Sequence, residues 1–149
     1  MNTESVLNQI IQEIKSLIPK TYEWNAPERF SPPALVYRYE IKQRPVRMKL
    51  FKRLNDRSLW KVADTELTIA LFYVNRTPDF KALDDYLKKK TLLTLNRVNV
   101  RLFYSPFAPA ERDDFKKLGL RTWEAQIIAK FPEVVETQVI QVDIEVSPQ

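Results

Sequence analysis

Cysteine and histidine are both absent from the 149 residues. Without thiols there is no disulfide, no thiolate metal site and no thiol catalysis, although the absence leaves the redox compartment open. Without histidine the usual zinc sites and the Ser-His, Cys-His and haem arrangements are excluded. Asp, Glu, Lys, Tyr and backbone groups remain as the main chemical actors. Glycine occurs once, at Gly119, too rarely for a Walker A loop or a dinucleotide fingerprint, each of which needs several close backbone approaches. No cofactor and no metal is therefore expected. Long apolar runs are also missing: nothing approaches the roughly 18 to 20 residues that span a bilayer. Residues 1–19 lack a basic segment followed by a continuous apolar one, so a soluble, unexported chain without a membrane partner is expected.

What is present suits one domain over residues 1–149. Hydrophobic residues make up 44% of the chain and charged residues 29%, enough apolar surface to offset chain entropy in a single core. Val6, Leu7, Ile10, Ile11, Ile14, Leu17 and Ile18 recur at helical spacing, and Pro19 follows as a stop, predicting an amphipathic helix over 3–18. Residues 20–33 read as an irregular, proline-rich connection pinned by Tyr22, Trp24 and Phe30. Residues 34–41 alternate as a strand, and 65–74 are apolar on both faces, as a central covered strand would be. Thr77-Pro78-Asp79 reads as an N-cap with proline at N1, opening a helix from Pro78 toward Leu95. A strand is expected at 98–104, a short helix at 109–118 closed by Gly119, and two further strands at 120–131 and 136–146. The fold class is α+β: a mixed, mostly antiparallel sheet flanked by two main helices. Ile10, Ile14, Ile69, Leu71 and Trp123 should lie in its core.

Charge is concentrated in one place. Residues 42–61 hold eight cations (Lys42, Arg44, Arg47, Lys49, Lys52, Arg53, Arg57 and Lys61) against Asp56 alone, a net +7 in a chain of +5. Val46, Met48 and Leu50 alternate with Arg47 and Lys49, and Asn55-Asp56 is a turn signal, so a protruding basic β-hairpin is expected. Such a hairpin is either a solvated edge that resists aggregation or a contact surface for an acidic protein ring or DNA phosphates. The candidate contact residues are Lys42, Arg44, Arg47, Lys49, Lys52, Arg53 and Arg57.

Catalytic signals are thin. Glu40-Ile41-Lys42 places a carboxylate and a lysine on one face of a strand, and with Glu28 upstream it could hold Mg²⁺ in the manner of a PD-(D/E)xK nuclease. A strand end entering the basic hairpin explains it better, because a three-residue match is weak. Asp84-Asp85 and Asp113-Asp114 are explained as solvated residues on exposed helices, and Lys88, Lys89 and Lys90 as a solvated helix face. Trp24, Trp60 and Trp123 fall in different elements and read as packing residues. No DNA-reading helix motif is present.

The order of elements resembles the tail terminator proteins of long-tailed phages, the lambda-type terminators. The resemblance is carried by the N-terminal amphipathic helix, the strand Pro33-Ala34-Leu35-Val36-Tyr37, and the long strand Thr65-Glu66-Leu67-Thr68-Ile69-Ala70-Leu71-Phe72. The Thr77-Pro78-Asp79 cap with its helix and the strand Trp123-Glu124-Ala125-Gln126-Ile127-Ile128-Ala129 complete it. The basic segment 42–61 and the extra strand at 136–146 depart from that pattern. The resemblance implies a non-enzymatic virion protein at the tail–neck junction, made in the host cytoplasm. It implies a ring, usually a homohexamer, that caps the tail tube and ends its polymerisation. Its implied partners are further copies of itself, the tail tube protein, a neck or head-completion protein and the sheath, with non-specific DNA contact left open. A DNA-acting protein, either a PD-(D/E)xK-like nuclease or a basic binding module, is the alternative.

Overall fold

Helix α1 (Thr3–Leu17) forms where the apolar stripe places it. Val6, Leu7, Ile10, Ile11 and Ile14 are buried, and the Ile18 N–H donates to the Ile14 carbonyl at 2.9 Å before Pro19 ends the helix. In the computed structural model, residues 3–24, 31–44, 47–52, 57–96, 98–110 and 119–140 are described; over 47–52, 57–62 and 134–140 the description is of the backbone. The remaining elements in chain order are β1 (Thr21–Glu23), β2 (Ala34–Gln43), β3 (Arg47–Lys52), β4 (Arg57–Asn75), α2 (Lys81–Lys89), β5 (Leu92–Leu95), β6 (Val98–Ala110) and β7 (Arg121–Ile140).

The strands form one seven-stranded sheet in the order β1-β2-β4-β7-β6-β5, with β3 also paired to β4. Only β1 and β2 are parallel; every other pairing is antiparallel. An α+β fold with a mixed, mostly antiparallel sheet is therefore what the chain adopts. One core cluster joins Ile10 and Ile14 of α1 and Leu83 and Leu87 of α2 to Ile69, Leu71 and Trp123 of the sheet. Every residue expected at the core is buried. A smaller cluster of Val36, Phe72 and Val74, with Trp24 packed on it, occupies the opposite face. Residues 65–74 are thus covered on both sides at their C-terminal end.

Several boundaries differ from the sequence expectation. The second arm of the basic hairpin and the central strand are one element, since β4 runs unbroken for 19 residues, about 60 Å at a strand's rise per residue. Likewise the strands expected at 120–131 and 136–146 are joined in β7, a 20-residue strand; residues 141–146 lie outside the described residues. β6 accompanies β7 as far as the Arg101–Lys130 pair. Among the described residues Pro132 has β4 as its one neighbouring strand, an edge position at which a missing N–H is tolerated. The register shifts at Lys61/Val62, where Val135 is the extra residue, a bulge that bends the ribbon at this point.

The helix expected from Pro78 to Leu95 is shorter at both ends. Residues 77–79 form a turn instead: the Asp79 N–H reaches the Thr77 carbonyl at 3.0 Å, and the Tyr73 hydroxyl donates to the Asp79 carbonyl at 3.2 Å. Phe80 occupies the cap position without a side-chain cap, its ring packed 5.2 Å from Tyr73 and 4.5 Å from Phe107. At the other end, 92–95 alternate as β5, and a two-residue link brings Leu95 opposite Val98. Asn96 there has φ 48°, a left-handed conformation that asparagine tolerates better than most residues. The short helix expected at 109–118 does not start at Pro109, because Pro109 and Ala110 belong to β6; 111–118 lie outside the described residues. Gly119 has φ 72°, the left-handed region that favours glycine. Residues 20–33 are partly ordered into the sheet, through β1, rather than wholly irregular.

Candidate functional site

β2 and β3 lie end to end along the same edge of β4. Gln43 pairs with Thr65, Arg47 pairs with Val62, and between them the Arg44 N–H donates to the Asp64 carbonyl at 2.9 Å. The opposite edge of β4 is occupied by β7 over its whole length, from Asn75–Arg121 to Arg57–Ile140. Beyond Lys130 of β7 and Gln43 of β2, therefore, the sheet continues among the described residues as three strands: β3, the 57–64 part of β4, and the 132–140 part of β7.

The extension is rooted in the domain by one carboxylate. Glu133 accepts the Thr3 N–H at 3.1 Å on Oε1, and on Oε2 the Thr3 hydroxyl at 3.0 Å, the Gln43 side-chain amide at 2.7 Å and the Thr65 hydroxyl at 3.2 Å. Thr3 and Thr65 are buried. A carboxylate at a helix N-terminus satisfies an orphan N–H and complements the helix dipole, so Glu133 ties α1, β2, β4 and β7 together where the ribbon leaves the core. Nothing in the sequence marks this residue, because its partners are 68 to 130 positions away.

The candidate contact residues are distributed along this extension. Lys42 is exposed near the end of β2, opposite Glu66. Arg44 follows, its guanidinium 3.2 Å from the Glu66 carboxylate. Arg47, Lys49 and Lys52 fall in β3 and Arg57 opens β4, with Lys52 and Arg57 directly opposite each other on the last rung. Arg53 lies outside the described residues. Sequence reading missed the groups that join Arg44: Lys130 is 3.5 Å from the same Glu66 carboxylate, and Arg101 pairs with Lys130 across β6 and β7. Together with Asp64 and Asn99 these side chains line a polar cleft of about 400 Å³. Such exposed pairs are individually weak.

Glu40 and Lys42 do share a face of β2, both exposed, with Thr68 and Glu66 opposite them. Glu28 lies outside the described residues, as do Asp113 and Asp114. Among the described residues no three acids converge into a metal-holding group. Asp84 is half-buried rather than solvated: it pairs with Lys88 at 2.8 Å and accepts the Tyr104 hydroxyl. Burial alone would raise its pKa, but the bonds from Lys88 and Tyr104 hold it below the ordinary carboxylate value. Burial, and then the hydrogen bond to Asp84 and the Asp84 charge, push the Tyr104 hydroxyl upward. Tyr86 is pushed up to about 12 by burial and by its hydrogen bond to Glu13. These are structural pairings between α2, α1 and β6. Lys88 and Lys89 are exposed, while Lys90 is half-buried and 3.9 Å from Glu13. Trp24 stacks edge-on against Phe72 on one face, and Trp123 lies among Tyr73 and Phe80 on the other. The two cannot form a common stacking platform.

These features define an α+β scaffold carrying a three-stranded, charge-rich extension. No protein-family model matches the chain, and no curated protein matches it in sequence.

Proposed function

We propose that this chain is a structural assembly protein of a phage tail: it caps the tail tube as a ring, ends tube polymerisation and joins the tail to the neck or head. The element order supports this reading through its resemblance to the lambda-type terminators. The observation that carries it is the extension of β3, β4 and β7 beyond the helix-backed part of the sheet. A rigid domain with a long ribbon offers two separate surfaces, one for neighbouring copies and one for the tube or neck. The basic residues of 42–57 form the hairpin surface of that ribbon and meet an acidic partner ring, with DNA passing through the assembly as the other candidate. The ring is a homohexamer, and the protein works in the virion without catalysis.

The test is the mass of the purified chain by light scattering, with negative-stain images. A symmetric ring is expected; a monomer at all concentrations would remove the reading. Tail capping by an Arg47→Glu, Lys49→Glu, Arg53→Glu variant should fail, and capping by the parent should weaken as salt shortens the Debye length from about 10 Å at 0.1 M to about 3 Å at 1 M. Normal capping by the variant with unchanged salt sensitivity would reduce the hairpin to a solvated edge. Plasmid incubated with Mg²⁺ or Mn²⁺ should remain intact. Cleavage abolished by Glu40→Ala and by Lys42→Ala would move the chain to the nucleases.

A further inference from the structure

We infer that copies of this chain join head to tail by strand addition, the β2–β3 edge of one copy pairing with the 132–140 edge of β7 in the next. The inference rests on the ring reading above and names the contact that would build the ring. Both edges are open among the described residues. β1 covers β2 only at Leu35, Val36 and Tyr37, leaving 38–43 and then β3 without a neighbour on that side. β6 leaves β7 after Lys130, so 132–140 is without a neighbour on its outer side. Open edges of this length present rows of unpaired N–H and C=O groups, the template for an added strand.

Charge selects which edges meet. β3 carries Arg47, Lys49 and Lys52 and no acid, and Arg38 and Lys42 precede them in β2 with Glu40 as the one acid. The 132–140 edge holds neither lysine nor arginine; its acids are Glu136 and Glu133, the latter bound within the chain to Thr3, Gln43 and Thr65. Like charges placed directly opposite each other destabilise a strand pair. Two β3 edges therefore repel, whereas β3 against β7 sets three cations beside an edge that holds Glu136 and no cation. Cations on an edge strand are a common guard against aggregation; here the same cations admit an acidic edge while refusing their own kind.

Direction agrees with this arrangement. β3 and β7 are each antiparallel to β4, so they run the same way, and a rotation about an axis along the ribbon brings β7 of one copy beside β3 of the next as a parallel pair. Such a heterologous contact generates a closed ring when the rotation closes, which a two-fold contact cannot do.

The absence of native cysteine makes the test clean. Lys49 pairs with Trp60 and Trp60 with Thr137, so within one chain positions 49 and 137 sit two strand spacings apart, about 10 Å. That is beyond the roughly 7 Å limit for a disulfide. Lys49→Cys is combined in turn with Thr137→Cys, Gln138→Cys and Val139→Cys to span the register, and each is oxidised gently. At least one double variant should give a ladder of disulfide-linked multimers ending at the ring size, with neither single-cysteine parent giving dimers above background. Strong dimers from a single-cysteine variant would show a two-fold contact and overturn the inference, as would the absence of a ladder in all three double variants. Light scattering on the parent separates the two readings: a ring without any ladder removes the strand pairing alone, and a monomer removes the ring as well. As a second measurement, Lys49→Glu with Lys52→Glu should shift the parent assembly to monomers, and adding Glu136→Lys should restore part of it; no shift in the first variant would also count against the pairing.

Discussion

The same two strands behave differently along their length. In β4, residues 67, 69, 71 and 73 are fully buried beneath the helices, and 72 and 74 are buried on the other face. Toward Arg57 the same strand becomes part of a ribbon whose neighbours, among the described residues, are β3 and the far half of β7. The upper half is held by burial, at about 25 cal/mol per Å² of apolar surface removed from water. The 57–62 part is joined through ladder hydrogen bonds to β3 and β7, with Glu133 at its root. Continuity of a strand thus says little about whether its two ends share one energetic source.

Five predictions bear on that contrast, from the largest effect to the smallest. Leu71→Ala in the buried half should lower unfolding stability by about 3 kcal/mol through lost burial and the cavity left behind, as read by urea denaturation. A loss below about 1 kcal/mol would mean that the helix-backed half is not the stabilising one. Glu133→Ala should cost about 2 kcal/mol, because it strands the Thr3 N–H and hydroxyl and leaves the buried Thr65 hydroxyl only its longer, 3.4 Å contact with the Ala63 carbonyl. It should also raise hydrogen exchange at the start of α1 and at the root of the ribbon together; an increase confined to α1 would separate the two regions.

Asp84→Asn should cost about 1 kcal/mol at neutral pH, since it weakens the bonds from Lys88 and Tyr104. The sign of its pH dependence follows from the depressed folded-state pKa. The stabilisation is present above the unfolded value near 3.8 and is lost as pH falls through the folded one, so Asp84→Asn should flatten the acid limb of a stability–pH curve. Tyr86 works at the opposite end. Its pKa rises from 10.0 to about 12 on folding, so its contribution is complete below pH 10 and is lost between about pH 10 and 12; Tyr86→Phe should remove that part of the alkaline decline. Smallest of all, Arg47→Glu, Lys49→Glu, Arg53→Glu should change monomer stability by no more than about 0.5 kcal/mol, the usual limit for surface substitutions. A larger loss by the same urea measurement would show that the ribbon's charges hold the fold and not merely its contacts.

Periodicity alone made α1, the core residues and the α+β class legible. Each depends on neighbours within a few positions or on simple alternation: Ile10 and Ile14 fall one turn apart, and Ile69 and Leu71 on one side of a strand. The concentration of cations between Lys42 and Arg57 was equally plain, since charge counts need no fold. The helix stripe beginning at Phe80 was legible too, but its end was not, because Leu92 and Leu95 suit a helix face as well as a strand until Val98 and Val100 are brought opposite β5.

What the sequence determined by itself was the inventory: no thiols, no imidazoles, one glycine, an amphipathic helix, apolar strands and a basic segment between two of them. Only the tertiary structure decided that β4 and β7 are single long strands, that Glu66 gathers Arg44 and Lys130, and that Glu133 closes the N-terminus of α1. The physical reason is that each of these rests on contacts between residues far apart in the chain: backbone ladders that nearly every residue type can join, and carboxylates whose partners come from other elements. Strand register and carboxylate partners are fixed when the whole sheet assembles, and no local pattern records them.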